Sequence, residues 1–232
     1  MSKRIERMFS NISGIYDMAN HVYSLGIDTA WRRDTAKEAL SRTTTGRIMA
    51  IDIGTGTGDL AIELSKQAAA CGKRILIKGL DLNRNMLQHA DAKLHARGIR
   101  NVSVEIGNAL STRFADGSFD LAVSAFALRN LDDLDAFSIE LRRILKKGGR
   151  FVLADMAKPD NRAWRTIFGT YFWIMTMTVG GALDRDAYAW LYRSVMGFDK
   201  GALVRTLRRN GFKGVRIKNM VSGVGFMVVG TR

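Results

Sequence analysis

The chain has 232 residues, of which 47% are hydrophobic and 25% are charged. These values exclude a disordered chain and fit one large domain that buries a substantial core. The single cysteine, Cys71, excludes an internal disulfide and has no second cysteine with which to form a zinc site, so we expect a reducing cytoplasm and no metal. The formal charge of +14 favours an anionic partner such as a membrane surface or a nucleic acid, although a solvated basic surface explains it equally well.

The first predicted elements are N-terminal helices within residues 1–45, which begin with alternating charged and apolar residues. From Arg47 onward, strand-like and helix-like segments alternate, a pattern that predicts a parallel sheet with helices on both faces. The fifth strand should follow a turn at Gly148-Gly149. Strands are predicted at 48–53, 75–80, 102–106, 121–126 and 151–154, and helices at 59–70, 83–97 and 134–145.

The pattern changes after Pro159, the only proline. An aromatic and Met-rich stretch at 163–179 is shorter than the roughly 20 apolar residues of a membrane-spanning helix, so we interpret it as a cap or interfacial helix. The sequence therefore predicts a single α/β domain over 1–232, with a seven-stranded, mostly parallel sheet and an inserted helical cap at about 160–197. The last predicted elements are helices at 184–195 and 200–210, then an antiparallel hairpin of 215–218 and 226–229 joined through Ser222-Gly223.

A glycine-rich loop, Gly54-Thr55-Gly56-Thr57-Gly58, follows the first predicted strand and precedes a helix. Glycines in this position let the backbone turn sharply and approach a nucleotide-type cofactor. The spacing G-x-G-x-G differs from the G-x-G-x-x-G fingerprint that binds a pyrophosphate. It favours S-adenosylmethionine, whose ammonium group suits Asp52 and whose carboxylate can use backbone N–H groups of the loop. The alternatives are a dinucleotide-dependent dehydrogenase and glycines that serve only the fold.

Two further positions complete the predicted cofactor site. Asp81, followed by Leu82, ends the second strand about 20 residues after the loop, where a carboxylate can accept hydrogen bonds from both ribose hydroxyls. Asn108 and Ala109 follow the third strand, where the adenine should lie. The structural alternatives are a helix cap at Asp81, a role for which Asn83 is better placed, and a turn at Asn108.

Nearly the whole chain resembles the UbiE/MenG family of ubiquinone/menaquinone biosynthesis C-methyltransferases. The first part of the resemblance is a signature of the form Y-D-x-M-N, then S and W. Further similarity lies in an F-G-L-R-N-V segment, an R-V-L-K-P-G-G-R turn and a Y-x-Y-L-x-x-S-I helix. In this sequence the Y-D-x-M-N signature matches residues 16–20, and its S and W match Ser24 and Trp31. The F-G-L-R-N-V segment matches 126–131, and the R-V-L-K-P-G-G-R turn matches 143–150. The Y-x-Y-L-x-x-S-I helix matches 186–188 with Leu191 and Ser194.

Several positions depart from the family pattern. Asp28 replaces the signature His, Lys147 replaces a Pro, Asp155 replaces a Glu, and Ala125 replaces a cofactor-contacting Ser, whose role is not transferred. The resemblance implies S-adenosylmethionine as the cofactor and a prenylated quinol as the acceptor. The departures leave open whether the acceptor is menaquinone-like, ubiquinone-like or another prenylated ring.

Methyl transfer to a ring carbon requires a proton acceptor and a positive partner for the developing phenolate. Arg129 is the candidate positive partner, and Asn130 is the candidate to orient the ring. Tyr16 and Asp17 are candidates for closing the site, with Asp17 or a water accepting the proton. The structural alternatives are an ion pair of Arg129 with Asp132 or Asp133, and helix caps at Asp17 and Asn130.

Three functions remain in competition at this stage. The first is methylation of a prenylated quinol by a cytoplasmic enzyme that is peripheral at the inner face of an anionic membrane. The second is methylation of a soluble small molecule. The third, a nucleic-acid-binding or RNA-modifying protein, lacks support, because there is no zinc-finger spacing or RNP-like aromatic pattern and because 127–130 does not resemble an N-P-P-[FY] tetrad. A homodimer is left open.

Overall fold

The computed structural model describes residues 27–43, 46–220 and 223–232. The predictions for residues 1–26, including Tyr16 and Asp17, lie outside the described residues, as does Ser222 of the predicted hairpin turn. The helices are α1 (Ile27–Leu40), α2 (Asp59–Ala70), α3 (Arg84–Ala96), α4 (Leu134–Ile144), α5 (Arg162–Gly197) and α6 (Lys200–Arg209), with a 3-10 turn at Leu128–Asn130. The strands are β1 (Arg47–Ile53), β2 (Arg74–Asp81), β3 (Val102–Ile106), β4 (Phe119–Ala125), β5 (Leu145–Met156), β6 (Lys213–Met220) and β7 (Gly225–Thr231).

The strands form one seven-stranded sheet in the order β3-β2-β1-β4-β5-β7-β6. Strands β1 to β5 pair in parallel, whereas β7 pairs antiparallel with both β5 and β6. The strand order reverses between β1 and β4, and in open α/β sheets a ligand binds in the crevice at this point. The predicted seven-stranded, mostly parallel α/β fold is confirmed.

Helices cover both faces of the sheet, and the inner strands β1, β4, β5 and β7 are mostly buried, whereas the edge strands β3 and β6 are partly exposed. On one face, Ala36 of α1, Leu64 of α2 and Leu94 of α3 belong to one apolar cluster. On the other face, Phe137 of α4 and Leu207 of α6 belong to a second cluster. Burial of such side chains is the main favourable contribution to folding, and it fixes α1 and α2 beside the crevice.

Most strand boundaries differ from those predicted by one or two residues, and the changes at the end of β4 and the start of β5 have a clear structural reason. Strand β4 ends at Ala125 and not at Phe126, because Phe126 has a φ of 63°, which is incompatible with a strand. Strand β5 begins at Leu145, which already pairs with Phe119, and the predicted glycine turn becomes an irregularity before Arg150 pairs with Leu121.

Helix α5 spans the two helices that the sequence predicts at 163–179 and 184–195. Its backbone is non-helical at Asp184, with φ −157° and ψ 98°, and the Asp184 side chain accepts a hydrogen bond from the Ala187 N–H at 3.0 Å. Asp184 therefore caps the second half of α5, in agreement with the predicted boundary. Within the described residues, no helix is both long and apolar enough to cross a bilayer.

Helix α5 has one packed face and one exposed face. Phe168 and Val195 are buried in an apolar cluster with Trp31 of α1 and Val224. The exposed face bears large hydrophobic side chains that are 46–60% accessible to solvent: Ile167, Tyr171, Trp173 and Ile174. A set of this size on one helix is unusual for a surface that contacts only water.

Candidate functional site

A pocket lies at the carboxyl ends of β1, β2 and β4, in the crevice where the strand order reverses. Its wall consists of the loop after β1, the residues after β2 and β3, the segment after β4, and one side chain from α1. Most residues predicted to bind the cofactor line it: Asp52, Gly54, Thr55, Gly56, Thr57, Asp81, Leu82, Asn108 and Ala109.

The glycine loop is held against β2 by backbone hydrogen bonds. The N–H groups of Gly54 and Thr55 donate to the Leu80 carbonyl at 2.8 and 3.0 Å, and the Gly58 N–H donates to the Thr55 carbonyl at 2.9 Å. Gly54 has a φ of 70°, and a Cβ at this position would lie 2.4 Å from the Cβ of Ala127. Only glycine therefore permits the loop to contact the segment after β4.

Asp52, near the end of β1, has a carboxylate oxygen without a partner. The residue is 1% exposed, and its Oδ2 accepts a hydrogen bond from the Thr55 hydroxyl at 2.7 Å, whereas its Oδ1 has no hydrogen-bond partner in the described structure. Burial, with a further contribution from the Asp81 carboxylate, raises the pKa of Asp52 to about 7. Because an unsatisfied buried carboxylate is costly, this oxygen is suited to a cationic ligand group such as the ammonium of S-adenosylmethionine.

Asp81 ends β2 with its carboxylate in the pocket wall. Its Oδ2 accepts the Gly56 N–H at 2.8 Å, and its Oδ1 accepts the Asn83 N–H at 2.9 Å. Burial raises the pKa of Asp81 in spite of these backbone hydrogen bonds. Asn83 caps α3 by accepting the N–H groups of Asn85 and Met86, so Asp81 is not needed as a cap, as the sequence predicts.

The loop offers the cofactor fewer backbone donors than the sequence suggests. The N–H groups of Gly54, Thr55, Gly56 and Gly58 all donate to protein oxygens, so these four are not available to bind a carboxylate. The expectation that N–H groups of the loop bind the carboxylate of the cofactor does not hold for these four groups.

Gly58 is the one predicted cofactor residue that does not line the pocket. It precedes the first turn of α2 with a φ of 83°, and a Cβ at this position would lie 3.1 Å from the Cβ of Ala90 on α3. Its absent side chain thus permits close packing of α2 against α3. This packing role is what the structure gives Gly58, and a direct contact with the cofactor stays a prediction.

Asn108 lies in the pocket wall and also forms the turn that the sequence analysis gave as its structural alternative. Its Oδ1 accepts the Leu110 N–H at 3.0 Å, and Asn108 bridges to Ser111. The preceding Gly107 donates its N–H to the Asp81 carbonyl at 2.9 Å. These bonds fix the segment beside Asp81, where a nucleoside base would lie next to its ribose.

Arg129 lies in the 3-10 turn after β4 and is not part of the pocket wall. Its Nε donates to Asp155 Oδ1 at 2.5 Å, and its backbone N–H donates to Asp155 Oδ2 at 3.2 Å. Its Nη1 lies 3.4 Å from the Ser194 hydroxyl of α5. The two charged side chains are 6% and 0% exposed. The ion-pair partner is therefore Asp155 of β5 and not Asp132 or Asp133.

Asn130 does line the pocket, and its buried Oδ1 has no hydrogen-bond partner in the described structure. The cap of α4 is Asp133, whose side chain accepts the N–H groups of Asp135 and Ala136, so the alternative of a cap at Asn130 is excluded. A buried amide oxygen without a donor is available for a ligand hydroxyl.

Arg32 of α1 is a pocket residue that the sequence reasoning missed. It forms an ion pair with Asp28, and its Cζ lies 5.2 Å from the centroid of the Phe126 ring. Two signals were available, namely its position directly after the signature Trp31 and the spacing of four residues from Asp28, which favours an ion pair on a helix. Asp28, which departs from the family pattern, thus forms an ion pair with a residue that lines the pocket.

The departure at Ala125 removes a hydroxyl from the pocket wall. The neighbouring Ser124 does not replace it, because its hydroxyl is buried and donates to the Ile53 carbonyl at 2.7 Å. The charged side chains of the wall are one cation and three carboxylates: Arg32, Asp52, Asp59 and Asp81. Asp59 is paired with Lys93 at 2.8 Å, so Asp52 and Asp81 are the carboxylates that disfavour a pyrophosphate. The pocket fits a phosphate-free, positively charged nucleoside such as S-adenosylmethionine.

The profile of the ubiE/COQ5 methyltransferase family matches residues 1–232. The ubiquinone/menaquinone biosynthesis C-methyltransferase UbiE of Geobacter sp. (strain M21) is 33% identical over 233 residues, which cover 99% of this chain and 97% of that protein. The demethylmenaquinone methyltransferase of Deinococcus radiodurans is 34% identical over 231 residues, with coverages of 98% and 92%. A putative S-adenosyl-L-methionine-dependent methyltransferase from Methanococcus maripaludis has the same fold, with a TM-score of 0.67 and 19% identity over 98% of this chain and 93% of that chain. The chain therefore belongs to the ubiE/COQ5 methyltransferase family.

Proposed function

We propose that the protein transfers a methyl group from S-adenosylmethionine to a ring carbon of a prenylated quinol precursor. Membership of the ubiE/COQ5 family and the names of the relatives support this activity. The observation on which it rests most is the unpartnered Asp52 carboxylate oxygen in the same pocket as Asp81. This pair suits a ligand with an ammonium group and an unphosphorylated ribose.

The chain's own residues have defined tasks toward the cofactor. S-adenosylmethionine supplies an electrophilic methyl group on a sulfonium centre. Asp52 would hold its ammonium, Asp81 its ribose hydroxyls, and Asn108 with Ala109 the edge of its adenine. With these three parts fixed, the sulfonium is held in one orientation, and orientation of this kind provides much of the rate of a displacement reaction.

The acceptor ring would lie beside an aromatic cluster formed by Trp31, Phe126, Trp164, Phe168 and Phe172. Phe126 belongs both to this cluster and to the wall of the cofactor pocket, and it stacks on Trp31 with 5.9 Å between ring centroids. The indole N–H groups of Trp31 and Trp164 are buried without an acceptor in the described structure. A quinol has two apolar faces and oxygens at opposite edges, so aromatic walls and unpaired N–H donors match it.

The ring carbon becomes nucleophilic when an adjacent hydroxyl loses its proton. Asn130 is our candidate to orient that hydroxyl before it ionises, since its Oδ1 lines the pocket and has no partner among the described residues. An amide oxygen does not take the proton, which therefore passes to another group. Arg129 remains a proposal as the positive partner of the phenolate. Its ion pair with Asp155 also holds the turn that bears Asn130. Tyr16 and Asp17 remain proposals from the sequence for closing the site, with Asp17 or an ordered water as the group that accepts the proton.

Helix α5 supports the proposed cap at about 160–197 and a peripheral contact with an anionic membrane. Its inner face contributes Trp164, Phe168 and Phe172 to the aromatic cluster, and its outer face exposes Tyr171 and Ile174. We infer that a prenyl tail leaves the site along this helix while the ring stays near the cofactor. The protein would then act at the cytoplasmic face of the membrane.

The proposal is tested with purified protein, S-adenosylmethionine labelled in its methyl group, and a demethylmenaquinol with a short prenyl tail under argon. We expect a product heavier by one methyl group, detected by mass spectrometry, and no product from the oxidised quinone, whose ring carbon is not nucleophilic. Asp81→Ala should bind the cofactor more weakly by about 1–3 kcal/mol. Methylation of soluble phenols but of no prenylated quinol would contradict the proposal and favour a soluble acceptor.

A further inference from the structure

Arg32 is the basic side chain among the described residues that line the cofactor pocket. Its side chain is 14% exposed, and α1 brings it into a wall otherwise charged by carboxylates. Burial raises the pKa of Asp52, and Arg32 lies close enough to that carboxylate to oppose part of the rise. The pocket thus places one cation near one unpartnered anion.

This arrangement matches the amino-acid end of the cofactor, in which an ammonium and a carboxylate are attached to the same carbon atom. Asp52 has a free oxygen for the ammonium. For the carboxylate, four N–H groups of the glycine loop are already bonded to protein oxygens. A carboxylate brought into the pocket without a donor would lose its hydration without compensation. Among the described residues of the wall, the cationic donor is the Arg32 guanidinium.

Two contacts hold this guanidinium in place. Its Nη1 donates to Asp28 one helical turn earlier, and Asp28 is 8% exposed. Its Cζ lies 5.2 Å from the centroid of the Phe126 ring, within the range of a cation–π interaction. Among the described residues, Asp28 is the acceptor that Arg32 contacts through Nη1, which leaves N–H groups on Nε and Nη2 for a ligand.

We propose that Arg32 binds the carboxylate of the methyl donor, that Asp28 positions Arg32 for this contact, and that the pocket thereby recognises the zwitterionic amino-acid end as a unit with Asp52. This inference rests on the proposed function only in its choice of S-adenosylmethionine as the ligand. Arg32 is a binding residue in this proposal, and Asp28 is a positioning residue.

Isothermal titration calorimetry with two ligands tests the proposal. S-adenosylmethionine has the carboxylate, whereas decarboxylated S-adenosylmethionine keeps the ammonium, the sulfonium and the nucleoside but lacks it. Arg32→Gln removes the charge while it keeps an N–H donor for Asp28. We expect this variant to bind S-adenosylmethionine roughly 10- to 100-fold more weakly than the unmodified protein does, the usual effect of losing a hydrogen bond to a charged group, and to bind the decarboxylated ligand with little change.

Three further variants give matched comparisons. Arg33→Ala, on the same helix but with a side chain that is 51% exposed, should bind both ligands as the unmodified protein does. Arg32→Lys should recover part of the lost affinity, because it keeps the charge without the planar fork. Asp28→Asn should weaken binding of S-adenosylmethionine but not of the decarboxylated ligand. Added to Arg32→Gln, it should cause no further loss of affinity.

An equal loss of affinity for both ligands in Arg32→Gln, with folding verified by circular dichroism, would contradict the proposal and assign Arg32 to the architecture of the pocket. Unchanged binding of both ligands would contradict it as well. A failure of the proposed function can be distinguished from a failure of this inference. If quinol methylation is absent but cofactor binding depends on Arg32, the present inference stands, whereas methylation with no ligand difference in the variant contradicts only this inference.

Discussion

At the scale of single residues, the site is defined by buried polar groups whose hydrogen-bonding capacity is only partly used. Within the described part of the chain, Asp52 Oδ1 and Asn130 Oδ1 are buried without hydrogen-bond partners, whereas Arg129 and Asp155 pair with each other. The two oxygens without partners are thus available to ligands. The buried ion pair holds the 3-10 turn, which contains Asn130, against β5. Replacement of each of these side chains should therefore have a measurable effect.

The pKa of Asp52 predicts that cofactor binding depends on pH. Because burial raises this pKa from its ordinary value of 3.8 to about 7, the ligand-free protein holds a proton on Asp52 between these values, and this contribution to stability falls as the pH rises through them. An ammonium favours the ionised form, so binding below pH 7 releases the proton. We expect the affinity for S-adenosylmethionine to rise roughly tenfold per pH unit up to about pH 7 and then to level off.

Calorimetry at pH 6 in buffers of different ionisation enthalpy measures the released proton directly. In Asp52→Asn the pH dependence should disappear and the affinity should be lower at pH 8. A proton release that persists in this variant would show that another group titrates.

Replacement of Asn130 should separate catalysis from cofactor binding. Its side-chain oxygen has no partner in the described structure, so Asn130→Ala breaks no hydrogen bond of that oxygen. We expect turnover of the quinol to fall by roughly 100-fold, the typical effect of removing one stabilising contact at the reacting group, with an unchanged dissociation constant for S-adenosylmethionine. Steady-state kinetics and calorimetry on the same preparation provide both values, and wild-type turnover would exclude a contact with the acceptor.

Arg129 should behave differently from Asn130. Because Arg129→Ala leaves the Asp155 carboxylate buried without its cation, we expect a loss of about 3–5 kcal/mol in the free energy of unfolding, measured by urea denaturation. The double variant Arg129→Ala/Asp155→Ala should be less destabilised than the sum of the two single variants. Additive losses would contradict the coupling between the two side chains.

At the scale of secondary-structure elements, α1 determines the geometry of one wall of the pocket. It bears Trp31 and Arg32, and Glu38 near its end joins it to the sheet. Glu38 accepts a hydrogen bond from Arg150 of β5 at 2.5 Å and forms an ion pair with Lys218 of β6. Burial alone would raise the pKa of Glu38, but Lys218 and Arg150 hold it below its ordinary value.

This network predicts that Glu38→Gln lowers the free energy of unfolding by about 1–3 kcal/mol, less than for a fully buried pair because Lys218 is 40% exposed. Since the pKa of Glu38 is lowered, its contribution is present at neutral pH and is lost as the pH falls through that pKa. Urea denaturation at several pH values should therefore show a difference from wild type that shrinks in acid. Asp34→Asn on the exposed side of α1 is the control and should change stability by less than about 0.5 kcal/mol.

At the scale of the whole molecule, the charge of +14 and the exposed face of α5 act together. Ile167, Tyr171 and Ile174 are spaced so that they share one helical face, and Arg162, Arg185 and Arg193 of α5 are exposed. Arg165 is different, since it is half-buried and donates to the Pro159 carbonyl at 3.0 Å. Apolar side chains combined with exposed arginines suit an anionic lipid surface.

Liposome flotation tests this surface. We expect recovery with anionic vesicles to exceed recovery with neutral vesicles and to decrease with salt, because each basic residue near such a surface contributes about 1 kcal/mol. Ile174→Ser should weaken vesicle binding by about 1–2 kcal/mol without a change in thermal stability. Ile139→Ser, at an equally exposed isoleucine of α4, is the control, and an equal loss in both variants would exclude a specific role for α5.

Local signals in the sequence were sufficient for most of the fold and for much of the cofactor site. The run from Asp52 to Asp59, the strand ending at Asp81 and the cap at Asn83 each depend on residues that are close in sequence. Helix α2 begins and ends where predicted. Backbone conformation, capping and apolar periodicity are determined over a few residues, so they can be deduced without the tertiary structure.

Only the tertiary structure decided which charged groups are paired and which are available. Arg129 pairs with a residue 26 positions away, and Glu38 pairs with residues 112 and 180 positions away. Asp52 and Asn130 each have one side-chain oxygen without a partner among residues 27–43, 46–220 and 223–232, and Arg32 reaches the pocket from a helix that precedes the sheet. The physical reason is that desolvation and ion pairing depend on distances in the folded chain, which the order of residues does not specify. The sequence by itself thus determined the fold and most of the residues that line the candidate cofactor pocket, whereas the packing of α1, β5 and α5 decided which charged groups are paired.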